Sequence, residues 1–179
     1  SLSKILSQIA LLYWERGDLK TARSKFEQAL KISEDLNDKQ QKAILYNNLG
    51  MIHPSLGNLK KAIEFFSRSI QIVEEIGDVF QQAKTLNNLG LVYYLTGDLD
   101  RAIGAYRHSI EIKRILGDKK GLITTFINLS TLEVLTGDYK KAIEDTEYYI
   151  KLAERINDSF SVLGGKINLG FIYYKIGDY

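Results

Sequence analysis

A two-residue signal, glycine or asparagine followed by aspartate or asparagine, returns along this chain at fixed intervals and constrains its fold more than any other feature. Gly17-Asp18, Gly57-Asn58, Gly97-Asp98, Gly137-Asp138 and Gly177-Asp178 stand 40 residues apart. A second series, Asn37-Asp38, Gly77-Asp78, Gly117-Asp118 and Asn157-Asp158, runs between them at the same period. Glycine or asparagine tolerates the left-handed backbone that closes a helix. The side chain that follows can accept from the free N–H groups opening the next helix. Two stops per period therefore mean two helices per period. The spacing predicts helices at 2–16, 19–36, 40–56, 59–76, 79–96, 99–116, 119–136, 139–156 and 159–176.

Apolar spacing supports helix over strand. Leu86, Leu89, Gly90 and Tyr93 make one stripe, and Leu99, Ala102, Ile103, Tyr106 and Ile110 another. Ala22, Ala62, Ala102 and Ala142 each precede a larger residue by four (Phe26, Phe66, Tyr106, Thr146), a small-then-large pairing that lets helices approach closely. A single proline in 179 residues permits long uninterrupted helices. The chain has no cysteine, which excludes disulfides, zinc-thiolate sites and thiol nucleophiles. Net charge is +2 and no repeat carries more than one net charge, so nucleic acid is not an expected partner. No apolar run approaches the roughly 20 residues that span a bilayer, so no membrane is expected either. These features are compatible with a cytoplasmic protein. The chain opens at Ser1 and closes at Gly177-Asp178-Tyr179, and both ends read as cuts from something longer.

The segment from Leu86 to Tyr106, LNNLGLVYYLTGDLDRAIGAY, resembles the tetratricopeptide repeat, with its Leu-Gly, then Tyr, then Ala, then an aromatic. The family's usual period is about 34 residues and its unit ends in proline; here Arg114 stands at that place. The longer unit resembles the repeats of kinesin light chains and of Leu-Gly-Asn-rich spindle-orientation scaffolds, and those of some bacterial and archaeal regulators. The resemblance implies an all-α fold, a right-handed superhelical array of antiparallel helix pairs. It would be one array over 1–179, with repeats 1–38, 39–78, 79–118 and 119–158 and a half-repeat 159–179. First helices would line a concave surface, and second helices would form the back. Leu169, Ile172 and Tyr173 of the half-repeat would then face a missing neighbour, giving a frayed end or a self-association surface.

One constellation points to function. Gln8, Asn48, Asn88, Asn128 and Asn168 precede the Leu-Gly position of each unit, mid-helix, where asparagine is a poor helix former. The resemblance implies a ladder that holds the backbone of a bound peptide, since an amide both donates and accepts. The alternative is that these amides only bridge adjacent helices. Helical spacing sets Lys84, Leu91 and Leu95 on the stripe of Asn88, flanked by Asn87 and Tyr94. Equivalent places hold Asn47, Leu11 and Trp14, Met51, Thr131 and Leu135, and Phe171, Tyr174 and Lys175. Trp14, Tyr94 and Tyr174 fit a groove and a core equally well. The lysines and arginines with which chaperone co-factors of this family grip a C-terminal carboxylate are missing: Ser7, Leu11, Asn47, Met51, Asn87, Leu91, Ile127 and Thr131 occupy those places.

Other features suggest no chemistry. Pro54 should bend the helix end beside His53; His108 reads as an exposed back-face residue. Glu144, Asp145 and Glu147 among Lys140, Lys141 and Lys151 read as a solvated mixed-charge face. Gly164-Gly165 costs about 2 kcal/mol of helix propensity relative to two alanines, so the last helix should be the loosest. No nucleophile-base pair or cofactor motif appears, and neither an enzyme nor a cofactor is expected. The leading expectation is a scaffold that binds a protein or peptide partner. The rivals are a peptide-sensing part of a larger signalling or transcription regulator, and a self-assembly module acting through the last helix of an otherwise monomeric chain.

Overall fold

The computed structural model describes residues 1–177; Asp178 of the last stop signal, and with it the end of the half-repeat, lies outside the described residues. Among the described residues there are nine α-helices and no strand. They are α1 (Leu2–Glu15), α2 (Leu19–Asp35), α3 (Lys39–Ile52), α4 (Leu59–Ile76), α5 (Val79–Leu95), α6 (Leu99–Leu116), α7 (Lys119–Thr136), α8 (Tyr139–Arg155) and α9 (Ser159–Ile176). The stops act as their chemistry requires. Gly17, Gly57, Gly77, Gly97, Gly117, Gly137 and Gly177 take positive φ, and so do Asn37 and Asn157. Asp18, Asp38, Asn58, Asp78, Asp98, Asp118, Asp138 and Asp158 each accept the N–H three residues on. Hydrogen bonds from Thr21 hold the Asp18 carboxyl below the usual carboxylate range. One boundary differs from the sequence expectation by more than a single residue. Pro54 ends α3 at Ile52 and turns the remainder into a 3₁₀ turn over Pro54–Leu56, because its ring nitrogen has no proton for the α-helical bond.

The helices gather into two compact units, Ser1–Gly97 with α1 to α5, and from Asp98 onward with α6 to α9. In the first, Ala10, Ala22, Phe26, Ala29, Leu45, Leu49 and Ile52 close a core among α1, α2 and α3. Ala62, Phe66, Leu89 and Val92 close a second core on α4 and α5. The repeat reuses one slot with its donor reversed. Ser3 Oγ donates to the Ala29 carbonyl at 2.8 Å, whereas one repeat later Ser69 Oγ donates to the Ala43 carbonyl at 2.8 Å. Gly50 of α3 leaves space for the Phe66 ring, which would lie 2.7 Å from an added Cβ.

In the second unit Leu122, Phe126, Leu129, Leu132, Ala142, Ile150, Leu152, Ala153 and Ile172 are buried. Ile172, expected at the open edge of the half-repeat, is thus enclosed, and Leu169 and Tyr173 beside it are half-buried. Gly165 differs from its reading as a source of looseness. It is buried, and a Cβ there would collide with Ile150 and Tyr149, so this glycine brings α9 close to α8. Gly164, beside it, faces open space.

Candidate functional site: amides and an apolar pocket on the first helices

In the first unit the amides of α3 and α5 join into one hydrogen-bonded chain. Asn87 Nδ2 donates to Asn88 Oδ1 at 3.5 Å, and Asn88 Nδ2 donates across to Asn47 Oδ1 at 3.1 Å. Asn47 Nδ2 reaches Asn48 Oδ1 at 3.4 Å and Met51 Sδ at 3.7 Å. Asn47 has 0% of its surface exposed and Asn48 only 7%, so Asn47 orients its neighbours from inside. Asn87 and Asn88 are half-buried, and Gln8 on α1 is exposed. Met51 and Trp14 are half-buried against the two cores. Leu91, Tyr94 and Leu95 are exposed on α5.

In the second unit the pairing changes. The repeat position of Asn47 and Asn87 is taken by Ile127 and Ile167, which offer no hydrogen bond. Asn168 therefore turns elsewhere, donating to Thr146 Oγ1 at 3.2 Å and Ser130 Oγ at 3.5 Å. Tyr149 is also within its hydrogen-bonding reach, while burial pushes the Tyr149 phenol upward. Asn128 is half-buried on α7. Beside Asn168 opens a cavity of about 470 Å³ lined by Ile127, Thr131, Tyr149, Phe160, Ser161, Gly164, Ile167 and Phe171. Lys175 Nζ lies 5.3 Å from the centre of the Phe171 ring, and Tyr174 is 63% exposed. The wall is thus mainly apolar with a few converging polar groups, the usual make-up of a ligand pocket. Among the described residues no three metal-ligating side chains gather, and no helix is long and apolar enough to cross a membrane.

The tetratricopeptide repeat profile matches residues 1–75 and 81–154. The chain belongs to the tetratricopeptide repeat family. Its array of helix pairs is, as a fold, a protein-interaction scaffold. No curated protein matches the sequence. Among solved structures it is similar to BtubC (BKLC) from P. vanneervenii, at 29% identity and a TM-score of 0.80, over 87% of this chain and 65% of that one. A putative kinesin light chain from Podosopora anserina is 16% identical with a TM-score of 0.83, over 99% and 89%. A Rap protein complexed with Competence and Sporulation Factor is 15% identical with a TM-score of 0.85, over 98% of this chain and 52% of that one. The last two likenesses concern the fold alone. The chain spans about two thirds of BtubC and half of the Rap protein.

Three residues of this tetratricopeptide array escaped the sequence reading. Glu133 is 2% exposed on α7, and neither of its oxygens has a hydrogen-bond donor. Asp145, expected on a solvated face, is instead partly buried on α8 facing Glu133. Lys113 is buried on α6, donating from Nζ to Thr125 Oγ1 at 2.7 Å and the Gly121 carbonyl at 3.3 Å. Burial lowers the Lys113 amine to about 8. A signal existed in the repeat. Glu133 occupies the slot of Tyr13, His53, Tyr93 and Tyr173, and Lys113 that of Val73 and Ala153. His53 is buried too, its ring 5.2 Å from that of Phe65. His108 is exposed, as its sequence neighbours suggested.

Proposed function

We propose that this chain captures an extended peptide segment of a partner protein on the surface of its first helices. The observation that carries this reading is the apolar pocket beside Asn168. It seats one aliphatic or aromatic side chain, while Asn168 at its edge turns its Oδ1 to the peptide backbone as its Nδ2 stays bonded to Thr146 and Ser130, and Asn128 supplies the next amide of the ladder. In the first unit Asn88, Asn87 and Gln8 take the backbone role. Leu91, Tyr94 and Leu95 offer apolar contact, and Asn47, Asn48 and Met51 hold the amides in place. Trp14 on α1 adds to the surface of the first unit, and Tyr174 on α9 to that of the second. Each backbone hydrogen bond contributes about 0.5–1.5 kcal/mol net, and micromolar affinity, about −8 kcal/mol, is the natural scale.

Gly164 supplies the test, because it lines the pocket and nothing stands within 4 Å of an added Cβ. A peptide selected by display on the full chain should lose at least tenfold affinity on Gly164→Leu at unchanged melting temperature. Undiminished binding would sink the pocket reading. The triple change of Asn48, Asn88 and Asn128 to alanine tests the amides separately: lowered stability with binding intact would assign them to structure.

The Rap complex favours a second reading, in which a small peptide on this surface switches a larger regulator. Measuring whether the selected peptide changes the activity of the full-length protein in its cell of origin separates sensor from scaffold. Self-assembly through α9 is the third reading. Leu163 is 60% exposed there, although Ala43 and Ile123 in the same slot are buried. Light scattering over a concentration series, with Leu163→Lys as control, decides it.

A further inference from the structure

The second unit buries acid where the rest of the array places rings. The slot of Glu133 holds Tyr13, His53, Tyr93 or Tyr173 in the other repeats. In the second repeat its contact twelve residues on is aromatic, His53 against Phe65; in the fourth the same pair of positions holds Glu133 and Asp145. The two carboxyls lie within hydrogen-bonding reach of each other, and both line a cavity of about 290 Å³ between α6 and α8. No donor reaches either Glu133 oxygen. Arg107 Nη2, the nearest cation, stands 3.7 Å from Oε1, too far for a hydrogen bond, and its side chain is half exposed.

The surrounding charges only partly offset the pair, and burial outweighs them. From α6 come Arg107, Arg114 and Glu111; from α8 and its cap come Asp138, Lys141, Glu144 and Asp145 itself. Two of the three cations already have other partners. Arg114 lies over the Phe126 and Tyr148 rings at 5.6 and 5.3 Å, and Lys141 Nζ bonds Asp138 Oδ2 at 2.6 Å. Two adjacent carboxylates with little solvent and no donor cannot both ionise cheaply, whereas one shared proton supplies the missing hydrogen bond.

We propose that Glu133 and Asp145 share a single proton that holds α7 against α8, so that the second unit tightens in mildly acidic solution and loosens as the solution turns alkaline. This reverses the usual behaviour of a paired carboxylate. Burial, and then the neighbouring Asp145, push Glu133 up to about 7, and burial raises Asp145 as well; the proton belongs to the pair. In the unfolded chain both carboxyls return to the ordinary range. The stabilisation is therefore complete below that range and disappears as pH rises through the folded value near 7. The helices concerned also carry Ser130 and Thr146, which hold Asn168, so the loosening reaches the pocket's polar edge.

Glu133→Gln keeps a donor toward Asp145 without titrating, and Asp145→Asn does the same from the other side. Chemical denaturation of the full chain at pH 5 and pH 8 should show the native chain losing folding equilibrium constant relative to either variant. The expected loss is on the order of 100-fold, at tenfold per pK unit. Carboxyl ¹³C resonances of Glu133 and Asp145 in the unaltered chain should carry a step near neutral pH. If both carboxyls finish titrating below pH 5, or if the variants lose as much stability as the native chain, the shared proton is refuted. Where a variant does not fold, the resonance titration decides alone.

Discussion

The two units are built from one repeat and fill it differently. The first ties its amides into a relay and packs rings and hydrocarbon in its slots; the second loses the partner amide, opens a pocket there, and buries Lys113 and Glu133. A repeat thus conserves the places where helices meet, while single residues at those places set what each unit can do. In the first unit polar groups satisfy one another. In the second, Asn168 turns to hydroxyls at the edge of a pocket and Glu133 is buried without a donor, which costs stability unless something compensates.

The sharpest way to break this contrast is at the Leu-Gly glycine. Gly50→Leu drives a side chain into the Phe66 ring and should destabilise the first unit by about 3 kcal/mol, read by denaturant unfolding. Next comes Asn47→Ala, which removes the middle of the relay and leaves Asn88 without its acceptor. A loss of about 2 kcal/mol is expected from stranded amides, with hydrogen exchange speeding up along α3 and α5. A loss below about 0.5 kcal/mol would mean the relay merely accompanies the packing.

Lys113→Met probes the opposite situation. A buried amine whose folded value falls from 10.5 to about 8 costs stability at neutral pH. That cost is absent above the unfolded value and grows as pH falls through the folded one. Replacement should therefore raise stability by about 1 kcal/mol at pH 7 and by nothing above pH 11. A neutral-pH loss would show that the bonds to Thr125 and Gly121 outweigh desolvation. The smallest effect belongs to Gly170, which shares the slot of Gly50 but has nothing within 4 Å of an added Cβ. Gly170→Ala should gain about 0.5–1 kcal/mol from helix propensity alone, seen as a small rise in melting temperature.

Helix boundaries were legible because each break is a local event: a residue that tolerates positive φ, then a side chain that caps. The end of α3 was legible in kind, since Pro54 announces a disruption, though its exact place depended on how the freed backbone turned. Gly165 misled for a reason of the same sort. Propensity counts a glycine's cost within its own helix, and the gain lies on Ile150 of the helix beside it. The amide column could be read as a column, but the direction of its bonds could not. Asn88 finds Asn47 only because α5 lies beside α3, and Asn168 meets isoleucine at the matching place.

By itself the chain's order of residues determined the type and spacing of the helices among the described residues, and their family, since those follow from period, caps and apolar spacing within one segment. Only the tertiary structure decided which amides are enclosed, where the pocket opens and which carboxyls meet with little solvent. Burial and pairing are properties of two helices at once, and no single segment carries them.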